Sequence, residues 1–236
     1  NETGKVVAMI GGRSQDELQQ TYSLNRGFQS FKQPGSSIKP LVIYTPALEE
    51  GYDANSTLTE IDVKAAKKST SEKISKMSGK KMSLRYAVED SKNGCAYSLY
   101  NIITPKVGLS YIENMNFSKI VQQDYTLSSG LGGLHHGTNT VEMANAYSTL
   151  ENHGEYRQAD CISSILDASG NEIYEEPESK TVYTRSASDQ MTDILEGVLN
   201  SSAGTAKGLK WSSASDVAAA AKTGTTNDNN VAWFCG

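Results

Sequence analysis

Residues 33–40 read Gln33-Pro34-Gly35-Ser36-Ser37-Ile38-Lys39-Pro40, and the reading of this stretch decides that of the whole chain. Pro34-Gly35 breaks the backbone immediately before Ser36. Ile38, Leu41, Val42, Tyr44 and Thr45 follow with mixed helical spacing as far as Glu50-Gly51. Pro40 falls within a first helical turn, where the leading amides lack intrahelical acceptors, so it is tolerated. The stretch predicts a helix with Ser36 at its N-terminus, and Pro46 is expected to kink or end that helix one turn early. Ser36 and Lys39 are three residues apart, so on a helix their side chains share a face.

A serine hydroxyl attacks well only when a neighbouring base takes its proton. Lysine can be that base as the neutral amine, which requires burial or neighbouring positive charge to lower its pKa from about 10.4. The helix N-terminus contributes positive potential, and its amides can hold a developing oxyanion. Two further short motifs extend the set. Ser91-Lys92-Asn93 offers a hydroxyl able to pass a proton and an amide able to orient the lysine or a substrate carbonyl. Lys222-Thr223-Gly224-Thr225 offers a lysine, two hydroxyls and a glycine on a predicted strand edge, suited to binding an extended peptide and its terminal carboxylate. Together they form the inventory of an acyl-transfer enzyme that uses an activated serine.

Composition sets the bounds. The 236 residues suffice for one large domain or two small ones, with 37% hydrophobic and 21% charged residues. A net charge of −5 argues against a nucleic-acid partner. No apolar run is long enough to span a bilayer. Val6 to Ile10 reads as a buried strand after the turn chemistry of residues 1–5, like the second half of a hairpin, and Val231 to Gly236 stops within a strand-like run. The chain is therefore expected to be a piece of a longer protein, cut at both ends within a sheet. Cys95, Cys161 and Cys235 lack metal-ligand spacing and read as small buried hydrophobes, with one disulfide left open.

The remaining elements follow from caps and periodicity. Seven lysines between Lys64 and Lys81 read as a solvated segment. Ser83 to Glu89 is a short helix with Leu84, Ala87 and Val88 on one face. Thr104-Pro105 opens a helix carrying Leu109, Ile112 and Met115. Gly130 to Gly133 is a loop, and Asn139 with Glu142 makes a capping box for a helix bearing Met143, Ala144, Tyr147 and Leu150. Cys161–Leu166 and Glu172–Tyr174 read as a hairpin. Ser188 is expected to cap a helix with Met191, Ile194, Leu195 and Val198 inward, followed by a loop over 200–210. Ala218 to Ala221 favours helix by propensity, although the motif after it suits a strand. The order gives an α/β (α+β) fold: an antiparallel sheet with strands at 1–12 and 160–236, flanked by helices, and a mainly helical part at 36–158 inserted between them.

The three motifs in this order are a known signature of penicillin-binding proteins and class A β-lactamases. The chain resembles, nearly end to end, the transpeptidase domain of class A (bifunctional) penicillin-binding proteins. Gln33 to Pro40 resembles that family's nucleophile segment. Ser83-Leu84-Arg85-Tyr86-Ala87 leading to Ser91-Lys92-Asn93 resembles its second motif. Leu131-Gly132-Gly133, Glu142-Met143-Ala144, Ala146-Tyr147 and Asn152-His153-Gly154 are similar to the stretch that distinguishes class A from class B. Lys222 to Thr226 with Trp233-Phe234 resembles the third motif and its exit strand. Cys95 departs from the apolar or small residue expected after the second motif.

The resemblance implies a serine D-Ala-D-Ala transpeptidase that cross-links peptidoglycan stem peptides, with acyltransferase/carboxypeptidase chemistry and covalent inhibition by β-lactam antibiotics. It implies acylation of Ser36, Lys39 as base, Ser91 as proton relay and Asn93 as orienting group. Thr223, Gly224 and Thr225 would bind substrate, with Lys222 behind them, and the Ser36 and Thr225 amides would form the oxyanion hole. No cofactor or metal is implied. The full protein would carry a membrane anchor, a glycosyltransferase domain and further C-terminal strands and a helix, and would act on the outer face of the bacterial cytoplasmic membrane.

Two rivals share the motifs: a serine β-lactamase and a non-catalytic β-lactam-sensing domain. Glu196-Gly197-Val198-Leu199-Asn200 matches the β-lactamase pattern that positions a deacylating water, but it falls on a helix whose inward face is apolar, and it reads as a decoy. His135, His136 and His153 read as loop histidines rather than metal ligands.

Overall fold

The computed structural model describes residues 3–12, 24–209, 218–226 and 230–236. After a short helix α1 (Arg26–Gln29), a continuous helical run covers residues 35–49. It begins as a 3-10 turn (Gly35–Ile38), widens to π pitch (Pro40–Tyr44) and ends as α2 (Thr45–Glu49). Strand β1 (Thr57–Glu60), helices α3 (Val63–Ala66) and α4 (Ser71–Ser75) and strand β2 (Lys80–Ser83) come next. Helices α5 (Leu84–Glu89), α6 (Asn93–Ile103), α7 (Pro105–Asn114) and α8 (Thr140–Glu151) follow. The last elements are β3 (Glu155–Tyr156), β4 (Lys180–Thr181), α9 (Arg185–Asn200), β5 (Lys222–Thr225) and β6 (Ala232–Cys235).

Pro46 does not end the run, which continues to Glu49, and the changing pitch explains why. Neither proline has an N–H to donate, so each orphans a carbonyl earlier in the run. In the 3-10 turn the Lys39 N–H bonds the Ser36 carbonyl three residues back, so Pro40 leaves the Ser37 carbonyl free. The buried Tyr147 hydroxyl donates to it at 2.7 Å. In the π stretch the Thr45 N–H bonds the Pro40 carbonyl five residues back, so Pro46 leaves Leu41 free. The buried Tyr183 hydroxyl donates to that carbonyl, also at 2.7 Å. Burial pushes both phenols well above their ordinary pKa, so they stay protonated donors. Ile38, Leu41, Val42, Ile43 and Tyr44 are all 0% exposed.

The run lies at the centre of the core. α7 and α6 pack on one stretch of it, α9 packs on α2, α5 and α8, and β5 lies against the 3-10 turn. Local caps form as read. The Val107 N–H bonds Thr104 Oγ1, and Asn139 and Glu142 satisfy each other's backbone amides. Leu109, Ile112 and Met115 are buried, as are Leu84, Ala87 and Val88.

Several expectations are corrected. The described strands form three antiparallel pairs, β1–β2, β3–β4 and β5–β6, and the first of these sits within the part read as mainly helical. Residues 3–12 hold no strand. One parallel bridge joins Lys5 to Asp160, and Val7 and Ile10 are 86% and 84% exposed. A strand needs a continuous partnered edge, and the backbone of this segment bonds Asp160 at one end and Arg26 at the other, with no ladder between them. Asn1, Glu2 and Lys210 lie outside the described residues.

The hairpin at 161–174 forms in short form: an antiparallel Leu166–Glu172 bridge and the Ile173 N–H on the Ile165 carbonyl join its arms, and the Asp167 carboxylate holds the turn. The last long helix starts at Arg185, capped by Thr184, because Thr184 Oγ1 accepts the Ala187 amide; Ser188 is buried inside it. In α8 it is Ala146, not Ala144, that faces the core. Residues 218–221 form no helix: the Ala221 N–H bonds the Leu195 carbonyl and the chain passes into β5.

Candidate active site

The three motifs meet. Ser36, Ser91, Asn93, Thr223, Gly224 and Thr225 line one cleft of about 480 Å³. Glycines let the backbones approach. Gly35 has φ +54°, and a Cβ there would stand 2.6 Å from the Thr225 carbonyl oxygen; one on Gly224 would stand 2.4 Å from that of Pro34. β5 therefore runs directly along the turn that carries Ser36, bringing the Thr225 backbone beside it. The Trp233 indole N–H closes the far margin by donating to the Gln33 carbonyl at 3.0 Å.

Ser91 is the hub. Its φ of +55° lies in the left-handed region that non-glycine residues seldom occupy, which turns its hydroxyl and carbonyl toward the same place. Lys39 Nζ donates to the Ser91 carbonyl at 2.8 Å and to Asn93 Oδ1 at 2.7 Å, with Ser91 Oγ farther away at 3.5 Å. Lys222 Nζ donates to Ser91 Oγ at 2.8 Å and to its neighbour's carbonyl, that of Thr223, at 3.0 Å. Lys92 turns away from this set and pairs with Asp90 at 2.8 Å.

Both lysines are fully buried. Burial, and after it the nearby Lys222 ammonium, holds the Lys39 amine well below the ordinary lysine value. Burial lowers Lys222 less, to about 8. The shifts run the same way but unequally, which favours a neutral Lys39 amine beside a Lys222 ammonium. A neutral amine has two hydrogens, and the two short bonds of Lys39 use both, which leaves its lone pair free to accept a proton. Lys222 keeps its charge beside the strand edge that carries Thr223 and Thr225.

The motifs do not account for the whole cleft. Thr205, Ala232 and Trp233 also line it, and Thr205 Oγ1 lies 2.6 Å from Thr223 Oγ1. Glu196, the carboxylate of the β-lactamase-like pattern, does not line this cleft. It borders a separate, largely apolar cavity of about 850 Å³ with Leu195, Leu199 and Phe234. Among the described residues no cluster of three metal-ligating side chains occurs: His153 pairs with Asp189, and His135 and His136 meet edge to face. The three cysteines are unpaired, with Cys161 exposed rather than buried, and burial raises the Cys95 and Cys235 thiols to about 11 and about 12.

The profile of the family described as "Penicillin binding protein transpeptidase domain" matches residues 1–236. Penicillin-binding protein 4 of Bacillus subtilis (strain 168) is 30% identical over 237 residues, covering 100% of this chain and 36% of that protein. Penicillin-binding protein 2a of Streptococcus pneumoniae serotype 2 (strain D39 / NCTC 7466) is 32% identical over 233 residues, covering 95% of this chain and 30% of its own length. The chain thus spans about a third of these curated relatives. Among solved structures, PonA1 of Mycobacterium tuberculosis in complex with penicillin V has the same fold, with a TM-score of 0.70 at 18% identity over 90% of this chain and 58% of that one. The D,D-transpeptidase domain of a peptidoglycan glycosyltransferase from Eggerthella lenta gives a TM-score of 0.65 at 18% identity over 89% of this chain and 58% of that one. With the three motifs gathered in one cleft, these likenesses show that the chain belongs to the family of penicillin-binding protein transpeptidase domains.

Proposed function

We propose that this chain is part of the transpeptidase domain of a class A, bifunctional penicillin-binding protein, and that it cross-links peptidoglycan stem peptides through an acyl-enzyme on Ser36. One observation carries the reading: two fully buried lysines converge on Ser91 in the cleft that Ser36 lines. Lys39 takes the Ser36 proton as Oγ attacks the carbonyl carbon of the penultimate D-alanine. The Ser36 and Thr225 amides hold the oxyanion. The bond to the last D-alanine then breaks, and its nitrogen leaves with a proton passed through the Ser91 hydroxyl. Asn93 holds Lys39 in place, and Thr223 and Thr225 bind the leaving residue's carboxylate with the Lys222 charge behind them. Gly224 lets the peptide backbone lie close. An amine of a neighbouring stem peptide attacks the ester and frees Ser36.

A β-lactam takes the same route as far as the ester and stops there. A membrane anchor, a glycosyltransferase domain and further strands belong to the longer protein, which acts on the outer face of the cytoplasmic membrane. Coverage of only about a third of each curated relative supports a longer protein. No described helix is long and apolar enough to cross a membrane. The test is mass spectrometry of the chain incubated with a β-lactam. Native protein is expected to hold one adduct on Ser36 for hours and to turn over a D-Ala-D-Ala peptide, whereas Ser36→Ala takes up nothing. Retention of the drug by Ser36→Ala would refute the proposal.

A further inference from the structure

Among the described residues, one hydroxyl lining the cleft belongs to none of the three motifs. Thr205 lies in the loop that follows α9, and its side chain is open to solvent while lining the cleft with Ser36 and Ser91. The loop is fixed at two points. The Thr205 N–H donates to the Glu89 carbonyl at 3.2 Å, at the end of the helix that leads into Ser91. The Ala206 N–H donates to the Val198 carbonyl at 3.0 Å, and Gly204 is pressed so close to α9 that an added Cβ would stand 2.3 Å from the Val198 oxygen. The position of Thr205 is therefore set by the scaffold that positions Ser91.

Its partner is Thr223, one of the two hydroxyls assigned to the substrate carboxylate, and their oxygens are 2.6 Å apart. A hydroxyl has one hydrogen and two lone pairs. If Thr205 donates to Thr223, the Thr223 hydrogen is released from the pair and turns into the cleft. If the direction reverses, Thr223 presents only lone pairs to whatever binds there. An anion selects the first arrangement, and the two bonds reinforce each other because the acceptor is charged. A neutral ligand gains much less from it.

We propose that Thr205 is a positioning residue that orients the Thr223 hydroxyl toward ligand carboxylates, and so makes the cleft prefer an anionic C-terminus to its amide or ester. The inference rests on the acyl-transfer reading of the same cleft. It is tested by the second-order rate of acylation by a carboxylate-bearing β-lactam and by the methyl ester of the same compound, in native chain, Thr205→Val, Thr205→Ala and Thr205→Ser. Both Val and Ala variants are expected to lose about tenfold with the carboxylate and less than twofold with the ester. The loss falls on formation of the pre-covalent complex rather than on the acylation step, and Ser restores the native ratio. Using two hydroxyl-free variants, each checked by thermal melting, separates the effect from misfolding. Equal losses with both ligands, or no loss with either, overturn the assignment while acyl transfer stands. If the native chain takes up neither compound, the acyl-transfer reading falls and this inference with it.

Discussion

Lys39 and Lys222 are fully buried, whereas the seven lysines between Lys64 and Lys81 all stand in water. One side chain thus serves two physical purposes in one molecule. In the surface segment the ammonium groups keep their hydration, and the Lys76–Glu72 contact at 2.5 Å joins groups that are 73% and 79% exposed. Such a pair gains little, because water and salt screen it. In the cleft the same ammonium loses water on every side and is offered Ser91, Asn93 and a backbone carbonyl instead. Desolvation then shifts the proton equilibrium toward the neutral amine, the form of the side chain that can accept a proton. The difference between the regions lies in packing, not in residue type.

Three substitutions bear on this comparison. The largest effect is expected from Lys39→Met, which keeps the bulk of the side chain and removes the proposed base. Acylation by a β-lactam, followed by stopped-flow or mass spectrometry, is expected to slow about 10²–10⁴-fold. A smaller change would mean that another group accepts the Ser36 proton.

The next effect concerns pH. Lys222 has a folded pKa of about 8, below its unfolded value of about 10.4. Below pH 8 both states carry the proton, and the folded state bears the cost of an ammonium out of water. As pH rises from 8 to 10.4 the folded state releases its proton first, so the unfolded state binds more protons and stability increases. The native chain is therefore expected to gain on the order of 3 kcal/mol relative to Lys222→Met across that window, read by urea denaturation at each pH. Acylation by a carboxylate ligand moves the opposite way, falling above about pH 8 as the ammonium is lost. Stability and activity thus respond to the same proton with opposite signs.

The smallest effect is expected in the surface segment. Lys76→Ala breaks the pair with Glu72 and is expected to change the unfolding free energy by less than about 0.5 kcal/mol, with acylation unaltered. A loss comparable to that at Lys39 would show that the segment contributes to the cleft.

What could be read from the sequence was local. Thr104 before Pro105, and Asn139 three residues before Glu142, announce helix starts because each cap is satisfied within one turn. The order of the three motifs gave the cleft its main walls. Pro46 misled because the carbonyl it orphans is satisfied from outside the helix, and nothing near Leu41 signals that. The same cause explains the mixed spacing after Ser36, which follows three helical pitches in turn. Val6 to Ile10 has strand composition, yet strand formation depends on a neighbour that no local pattern specifies. Thr205 was silent for a simpler reason: one threonine after a glycine in a polar loop carries no periodicity.

The two phenols that complete the serine-bearing helix have a consequence for biosynthesis. Tyr147 comes 110 residues after the carbonyl it caps and Tyr183 comes 142 after its own. At about 5–20 residues per second, a ribosome needs on the order of ten seconds to deliver the second of them after Leu41. Until then only water can answer the Ser37 and Leu41 carbonyls, so the helical run that carries Ser36 cannot be buried as it is in the folded chain. The cleft is thus a late product of translation, assembled only when distant parts of the nascent chain have arrived.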